Sequence, residues 1–173
     1  METNRLQIRP MQESDQTAFV NGIADRALRI AYGFPKNTDT AISVKIFQHF
    51  CELPGAYSMI EKQTGKMIGF LLDVEPELPE SIAKTLSGNG RTLAIAVFPP
   101  YQRQGYMGEA LSAYISYLFR DQAVAYIHCG HFTDNEPSSQ LLQKMQFSAF
   151  EEHAVNGRII VDRIRRREND ALC

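Results

Sequence analysis

Apolar and polar residues alternate along this chain in short stretches whose period changes several times. Period-two alternation predicts strands, and apolar residues at every third or fourth position predict helices. The pattern predicts a loop with a turn of helix over Glu75–Gly90. It also predicts strands at Arg5–Arg9, Tyr57–Lys62, Met67–Val74, Arg91–Val97, Ala123–Cys129, Phe147–Val155 and Arg158–Arg165, and helices near Glu13–Leu28, Ile42–Phe50, Gly105–Leu118 and Asn135–Met145. This order favours one α/β (α+β) mixed sheet covered by helices over a regular βαβ repeat.

The segment from residue 91 to residue 118 changes from a strand to a helix through a sharp turn. Alternate positions give the strand a bulky face (Leu93, Ile95, Val97) and a narrow face (Thr92, Ala94, Ala96). The run Phe98-Pro99-Pro100-Tyr101 cannot continue a sheet ladder, so the chain must turn there. The helix that follows has one apolar stripe, formed by Met107, Ala110, Leu111, Tyr114, Ile115 and Leu118.

Composition narrows the class of protein. A chain of 173 residues with 44% apolar and 22% charged residues fits one domain with its own core. There is no apolar run long enough for a membrane helix, and the first ten residues lack the apolar run of a signal peptide. We therefore expect a soluble, intracellular protein in the cytoplasm. A net charge of −2 gives no general attraction to nucleic acid.

The three cysteines, Cys51, Cys129 and Cys173, do not form a disulfide framework, and no metal-ligand spacing accompanies them. We therefore expect no metal site. Cys129 fits a buried small apolar residue better than a nucleophile.

The turn Gln102–Gly108 is a candidate anion site. A helix N-terminus has unpaired N–H groups and a partial positive charge, and Gly105 and Gly108 let an anion approach the backbone. Arg103 adds charge at the mouth of the turn. The sequence matches neither the Walker loop nor the dinucleotide fingerprint. On glycine spacing alone, a plain helix start is the other interpretation.

Two motifs in this region resemble those of the GNAT acetyltransferases. Gln102, Gly105 and Met107 occupy the three positions of the core motif Q/R-x-x-G-x-G/A. Downstream, the residues from Asn135 to Phe147 resemble the second motif, N-x-x-S-x-x-L-x-x-K-x-G-F. The N-terminal L-x-I-R-P and the Asn-Gly hairpin match as well. The combination resembles the branch that includes ribosomal-protein N-terminal acetyltransferases.

The resemblance implies a single GNAT domain over residues 1–173. It implies a mixed, mostly antiparallel central sheet flanked by helices, with a splay between the strand at 91–97 and the strand at 123–129. It implies acetyl-CoA as cosubstrate and transfer of acetyl to a primary amine by direct attack. The implied cofactor-binding residues are Ile95, Ala96 and Val97 for the pantetheine arm, Gln102, Arg103, Gln104, Gly105, Tyr106, Met107 and Gly108 for the pyrophosphate, and Asn135 and Ser138 downstream.

The candidate catalytic residues are Ser138, Asn135 and His128. Ser138 is expected to protonate or bind the leaving thiolate, because the position of the tyrosine that does so in some relatives holds Leu142. A backbone N–H near Val97 or Phe98 is the expected oxyanion donor. His128 is a candidate base, and the alternatives are Asp73 or Glu75 near the end of their strand, or a water chain. Each side chain also has a structural interpretation, as a helix cap for Asn135 and Ser138 and as a buried strand histidine for His128.

Three departures from the family pattern leave a second function open. Met107 replaces a small residue in the phosphate turn, and Gln146 replaces the glycine before Phe147. Thr92 stands where many relatives carry a glutamate that is a common general base. The alternative is therefore a catalytically degenerate protein that binds acetyl-CoA as a sensor or interaction module.

The acceptor amine and the macromolecular partners stay open. The acidic residues Asp73, Glu75, Glu77 and Glu80 fit either a cationic acceptor or a solvated loop. The basic run at Arg163, Arg165, Arg166 and Arg167 fits a nucleic-acid contact or a charged edge strand that prevents aggregation. We expect no membrane partner and no nucleic acid, and a homodimer is left open.

Overall fold

The fold contains seven strands and six helices in the part of the chain that is described. The computed structural model describes residues 1–35, 39–78 and 80–167. The strands are β1 (Leu6–Pro10), β2 (Ala56–Glu61), β3 (Met67–Val74), β4 (Gly90–Val97), β5 (Tyr126–Phe132), β6 (Ser148–Val155) and β7 (Arg158–Arg166). The helices are α1 (Gln16–Gly22), α2 (Arg26–Tyr32), α3 (Thr40–Glu52), α4 (Glu80–Ala83), α5 (Tyr106–Arg120) and α6 (Glu136–Lys144), with 3₁₀ turns at Glu13–Asp15 and Pro99–Tyr101.

The strands form one sheet in the order β1-β2-β3-β4-β5-β7-β6. The ladders β1–β2, β2–β3, β5–β7 and β6–β7 are antiparallel. β4 and β5 are parallel, and among the described residues their paired positions run from Gly90↔Tyr126 to Thr92↔His128. The predicted mixed, mostly antiparallel sheet with flanking helices is confirmed. The splay further along these two strands stays a prediction.

The chain divides into two compact units. The N-terminal unit holds Met1–Leu72 and Ile95–Ala110, and the C-terminal unit holds Asp73–Ala94 and the chain from Leu111 onward. Strands β3 and β4 and helix α5 each contribute residues to both units. The single domain over residues 1–173 stays a prediction.

The core of the N-terminal unit brings strand side chains against the start of α5. Its aromatic part centres on Phe19, whose ring lies 5.3–5.5 Å from the rings of Phe47, Phe50 and Phe70. Such tilted and edge-on pairs each add about 0.5–1.5 kcal/mol beyond their buried area. A second cluster of buried side chains consists of Leu6, Ile8, Met59, Ile68, Val97, Tyr106 and Ala110.

Arg9, in the L-x-I-R-P segment, has a structural partner in this unit. Its guanidinium binds both oxygens of Asp15, at 2.7 and 2.8 Å, and the Ser58 hydroxyl donates to the same carboxylate at 2.6 Å. Burial opposes ionisation of Asp15, but these donors outweigh it and hold its pKa below the usual range. The ion pair therefore fastens the first 3₁₀ turn to β1 and β2.

In the C-terminal unit, the apolar stripe of α5 is buried as predicted, at Leu111, Tyr114, Ile115 and Leu118. The turn of helix predicted within Glu75–Gly90 is α4, although residue 79 of that segment lies outside the described residues. Ile82 of α4 is fully buried and packs with Tyr126 of β5 and Ile164 of β7.

Two boundary predictions were wrong. The helix expected over Glu13–Leu28 is interrupted after Gly22, because Asp25 begins a new helix by accepting the Leu28 N–H at 2.7 Å. The strand expected at Ala123–Cys129 instead begins at Tyr126 and runs to Phe132. Ala123 has φ +50, and the Val124 N–H donates to the Leu118 carbonyl instead of a sheet ladder.

The C-terminal elements show a correction and a strained helix end. The basic strand β7 was expected to be an edge strand, but it lies between β5 and β6, and β6 is at the edge. Gln146, in place of the usual glycine, takes the left-handed conformation with φ +64. The Phe147 N–H then closes α6 by donating to the Leu142 carbonyl at 2.9 Å.

We predict that Gly69→Ala destabilises the protein by about 2–3 kcal/mol, because the added methyl group overpacks the interior. A Cβ at Gly69 would lie 2.2 Å from the Ala96 carbonyl oxygen and 3.1 Å from the Val97 Cα, both backbone atoms of β4. Urea denaturation followed by circular dichroism measures the free energy of unfolding.

The control is Gly65→Ala in the β2–β3 turn, where φ is +67 and no atom lies within 4 Å of the new methyl group. We expect this variant to lose only about 1 kcal/mol in unfolding free energy, because alanine is less favourable than glycine at positive φ. Equal losses for the two variants would contradict the close approach of β3 and β4.

Candidate active site

The turn between β4 and α5 is built by its own side chains. β4 ends at Val97, and the Phe98 N–H donates to the Ile68 carbonyl at 2.8 Å before the prolines turn the chain. The Gln102 side-chain amide donates to the Val97 carbonyl, and that of Gln104 to the Pro100 carbonyl, each at 2.9 Å. These amides hold the shape of the turn. Because the Phe98 N–H has a partner, Val97 is the remaining one of the two expected oxyanion donors.

The backbone of the turn has two residues of positive φ just before α5. Arg103 and Gly105 have φ +59 and +82, and α5 begins immediately afterwards at Tyr106. The N–H groups of Tyr106, Met107 and Gly108 are in the first helical turn and have no partner within the helix. The atom nearest to a Cβ at Gly105 would be Nη2 of Arg5, at 3.4 Å. This geometry suits an anion such as a phosphate.

Two residues of the turn use their side chains inside the N-terminal unit. The Tyr106 ring is buried and its hydroxyl donates to Glu61. This hydrogen bond lowers the pKa of Glu61 and raises the pKa of Tyr106. Met107 is half-buried against the core cluster, so its side chain joins the apolar stripe. Their expected contribution to a phosphate site therefore comes from the backbone.

The three residues expected along the pantetheine arm end β4. Ala96 and Val97 are each 2% exposed, and Ile95 is half-buried against the core cluster. What these residues can offer a ligand is therefore mainly main-chain hydrogen bonding.

A chain of four polar side chains crosses the C-terminal unit. The Thr92 hydroxyl lies 3.0 Å from His128 Nδ1, and His128 Nε2 lies 2.8 Å from Asp162 Oδ1. The other oxygen, Asp162 Oδ2, lies 2.7 Å from Nδ1 of His153. Asp162 is only 2% exposed. Burial opposes its ionisation, but the hydrogen bond from His128 and the charges of the two histidines hold its pKa below the usual range.

The carboxylate fixes the tautomer of His128. An ionised carboxylate only accepts hydrogen bonds, so Nε2 of His128 carries a proton. In the neutral ring, Nδ1 is then the acceptor and the Thr92 hydroxyl donates to it. In many enzymes with the same order of groups, hydroxyl to imidazole to carboxylate, the imidazole is a general base that takes a proton from the hydroxyl. Thr92 thus places a hydroxyl on His128 at the position where the family resemblance leads us to expect a glutamate in many relatives.

The sequence did not identify Asp162 and His153. They lie on β7 and β6, and only the pairing of these strands with β5 brings them to His128. The sequence offered one signal for Asp162, which is a single aspartate among the arginines of a predicted strand.

Asn135 and Ser138 lie at the start of α6. The Asn135 Oδ1 accepts the Ser138 N–H at 3.3 Å, so Asn135 caps the helix. Ser138 is half-buried in the first turn. Leu142, at the position of the tyrosine acid in some relatives, is buried.

The acidic stretch is largely occupied by internal partners. Asp73 is buried, binds Nε of Arg91 at 2.5 Å and accepts the Tyr114 hydroxyl at 2.8 Å. Glu75 also pairs with Arg91, and Glu80 pairs with Lys84. The expected solvated rim is therefore wrong for Asp73, and the argument for a cationic acceptor is weakened.

The basic run and the cysteines also have structural roles. Arg163 donates to His131 and to the Ser139 hydroxyl, and Arg165 donates to the Met145 carbonyl. Cys129 is buried, and burial raises its pKa to about 12, which agrees with a structural residue. Cys173 lies outside the described residues.

Comparison with known proteins defines the class of protein. Residues 5–148 match the family described as Acetyltransferase (GNAT) domain. The chain therefore belongs to the GNAT family and is an acetyl-CoA-dependent acetyltransferase. The predicted family is confirmed.

Individual relatives agree with this assignment. The chain is 27% identical over 150 residues to the uncharacterized N-acetyltransferase YoaA of Bacillus subtilis, with 85% of this chain and 81% of that protein covered. A GNAT acetyltransferase structure from Bacillus anthracis has TM-score 0.80 at 14% identity, covering 96% and 98% of the two chains. RimL, a ribosomal L7/L12 α-N-protein acetyltransferase solved with coenzyme A, has TM-score 0.75 at 19% identity, with 95% of each chain covered. These two structures share the fold.

A search of the described residues found no helix with the length and apolar character needed to cross a membrane.

We predict that Asp162→Asn removes a stabilisation that depends on pH. Because the folded pKa of Asp162 is lowered, its contribution is fully present above the unfolded pKa of about 3.9 and is lost as pH falls through the folded pKa. The wild type should exceed the variant by about 1–3 kcal/mol in unfolding free energy at pH 5, and this difference should shrink toward pH 2. Urea denaturation across this pH range measures it.

Glu77→Gln, at an exposed carboxylate, is the control and should show little difference at any pH. A constant difference between the wild type and Asp162→Asn from pH 5 to pH 2 would contradict the ionised, hydrogen-bonded carboxylate.

Proposed function

We propose that this protein transfers the acetyl group of acetyl-CoA to a primary amine by direct attack of the neutral amine on the thioester. The observation that carries the proposal is the open backbone at Gly105, immediately before the first N–H groups of the 15-residue helix α5. A helix start of this kind suits a phosphate group, and acetyl-CoA contains a diphosphate. RimL was solved with coenzyme A, which supports the same cosubstrate here.

The residues present fit this cosubstrate. The backbone N–H groups from Gln104 to Gly108 would bind the pyrophosphate, and the exposed Arg103 would add positive charge. The main chain of Ile95, Ala96 and Val97 would bind the pantetheine arm. Met107 packs against the core cluster, so it does not argue for a closed site.

Proton removal from the amine is assigned to His128. An ammonium group has no lone pair for attack, so a base must take its proton. Asp162 holds the His128 proton on Nε2, which leaves the lone pair of Nδ1 beside the Thr92 hydroxyl. In the proposal the hydroxyl transmits the proton to Nδ1, and Asp162 stabilises the resulting imidazolium. This chain of groups replaces the glutamate of the relatives.

The other two steps use the main chain and α6. The N–H of Val97 would stabilise the tetrahedral oxyanion, and the Ser138 hydroxyl would protonate or bind the leaving thiolate. Asn135, which caps α6 through the Ser138 N–H, would hold that serine in place.

The proposed acceptor is a peptide or protein N-terminus or a small-molecule amine. An α-amine has a pKa of about 8, so part of it is already neutral at pH 7 and a modest base suffices. Mass spectrometry of acetylated products, over a panel of peptides, ribosomal proteins, polyamines and aminoglycosides, would identify the acceptor. No acetylated product beyond thioester hydrolysis would favour the sensor function.

We predict that Gly105→Glu abolishes measurable acetyl-CoA binding, because a carboxylate would occupy the expected position of the pyrophosphate. Calorimetric titration with acetyl-CoA, CoA and ATP measures the affinity. Wild-type protein should bind acetyl-CoA and CoA in the micromolar range but not ATP.

The matched control is Gly65→Glu, which places the same side chain at another glycine of positive φ, +67 against +82 at Gly105, within the same unit. It should retain wild-type affinity. Retained affinity in Gly105→Glu would mean that the phosphate turn is assigned wrongly.

We predict that His128→Gln lowers kcat by about 10²–10⁴-fold while leaving the Kd for acetyl-CoA unchanged, because only proton transfer is lost. Steady-state assays with an identified amine measure kcat, and calorimetric titration measures the Kd.

His49→Gln, at an exposed histidine of α3, is the control for general effects of losing a histidine. Similar rates in the two variants would remove His128 from the mechanism. Melting temperatures check that His128→Gln is folded.

A further inference from the structure

Arg5, which precedes β1, is fixed against the phosphate turn by three contacts. Its Nε donates to Glu109 Oε2 at 2.7 Å, and its Nη1 donates to the Gln104 carbonyl at 2.9 Å. Its guanidinium carbon lies 4.2 Å from the centre of the Tyr106 ring. A long, exposed side chain ordinarily has many rotamers, but these contacts select one. The guanidinium is therefore preorganised beside the turn.

The third guanidinium nitrogen faces Gly105. Nη2 of Arg5 lies 3.4 Å from the position that a Cβ of Gly105 would take. Within the described residues, no protein acceptor receives a hydrogen bond from Nη2. The turn thus has a charged donor directed at the space that the glycine leaves open, and the side chain of Arg5 is 41% exposed there.

The negative charge of Glu109 creates a need for a cation beside the turn at Gly105. Glu109 lies in the first turn of α5, close to the N–H groups that would bind the phosphates, and its negative charge would repel them. The Thr3 hydroxyl, the Arg5 backbone N–H and the Arg5 side chain all donate to this carboxylate. Arg5 therefore offsets the charge of Glu109 and still has one donor to offer.

We propose that Arg5 is a binding residue for the pyrophosphate of acetyl-CoA, through Nη2. This inference rests on the proposed function. Nη2 donates a charge-assisted hydrogen bond to a phosphate oxygen, and Nε keeps Glu109 neutralised. The alternative interpretation is that Arg5 has a purely structural role, in which it holds β1 to α5 without contacting the ligand.

Ligands with and without the pyrophosphate separate these two roles. We would measure Kd by calorimetry for CoA, for dephospho-CoA, which keeps the pyrophosphate and lacks the 3′-phosphate, and for S-acetylpantetheine, which lacks the adenosine and all three phosphates. Arg5→Gln should weaken CoA and dephospho-CoA by the same factor, about 10- to 100-fold. Its affinity for S-acetylpantetheine should stay at the wild-type value.

Two further variants serve as controls. Arg26→Gln makes the same change in charge at an exposed arginine of α2 in the same unit and should leave every Kd unchanged. Arg5→Lys keeps the positive charge but removes Nη2, so it should weaken the binding of CoA and dephospho-CoA and leave that of S-acetylpantetheine unchanged. This second variant keeps the proposal testable even if Arg5→Gln fails to fold.

Each outcome decides a different claim. Failure of the wild type to bind CoA overturns the proposed function and this inference with it. Wild-type CoA affinity in Arg5→Gln overturns only the role of Arg5. An equal loss for CoA and S-acetylpantetheine would show that Arg5 has a purely structural role.

Discussion

The reversal of the chain between β4 and α5 depends on two backbone conformations of positive φ, at Arg103 and Gly105. They direct the chain from the 3₁₀ turn at Pro99–Tyr101 into the long helix α5, whose first N–H groups have no partner within the helix. The side chains of Gln102 and Gln104 hold the reversal from within, and Arg5 ties it to the beginning of the chain. A side chain at Gly105 would be strained and would cover the same N–H groups. Fold and proposed chemistry in the N-terminal unit therefore depend on the same few torsion angles.

Much of the fold could be predicted because its signals are local. The Asn156-Gly157 turn has φ +50 and +76, the two positive values that a two-residue hairpin of this sequence suggests. Asn135 caps α6, and α5 buries the stripe that its period indicates. One constraint on the fold comes from a contact that no local pattern contains. A Cβ on Gly22, the last residue of α1, would lie 2.3 Å from the Phe98 ring.

The candidate site also has parts that could be predicted from the sequence and parts that could not. The turn before α5 was predictable because its glycines and its motif lie within seven residues, and its role in binding phosphate stays a proposal. The charged networks were not, because they join distant segments: Arg5 and Glu109 are 104 residues apart, and Asp162 reaches His128 only through strand register. From composition alone, Asp73 was expected in a solvated acidic loop, and Arg163 and Arg165 in a basic edge strand. Burial and pairing gave them different roles, since a buried charge is tolerated only with partners.

The burial of Cys129 has a consequence for the redox chemistry of the enzyme. Disulfide exchange requires a thiolate, and a thiol with a pKa of about 12 is ionised in only about one molecule in 10⁵ at pH 7. Oxidised forms of coenzyme A would therefore find no reactive sulfur in β5. Among the described residues the exposed thiol is that of Cys51 on α3, so mixed-disulfide formation would begin there.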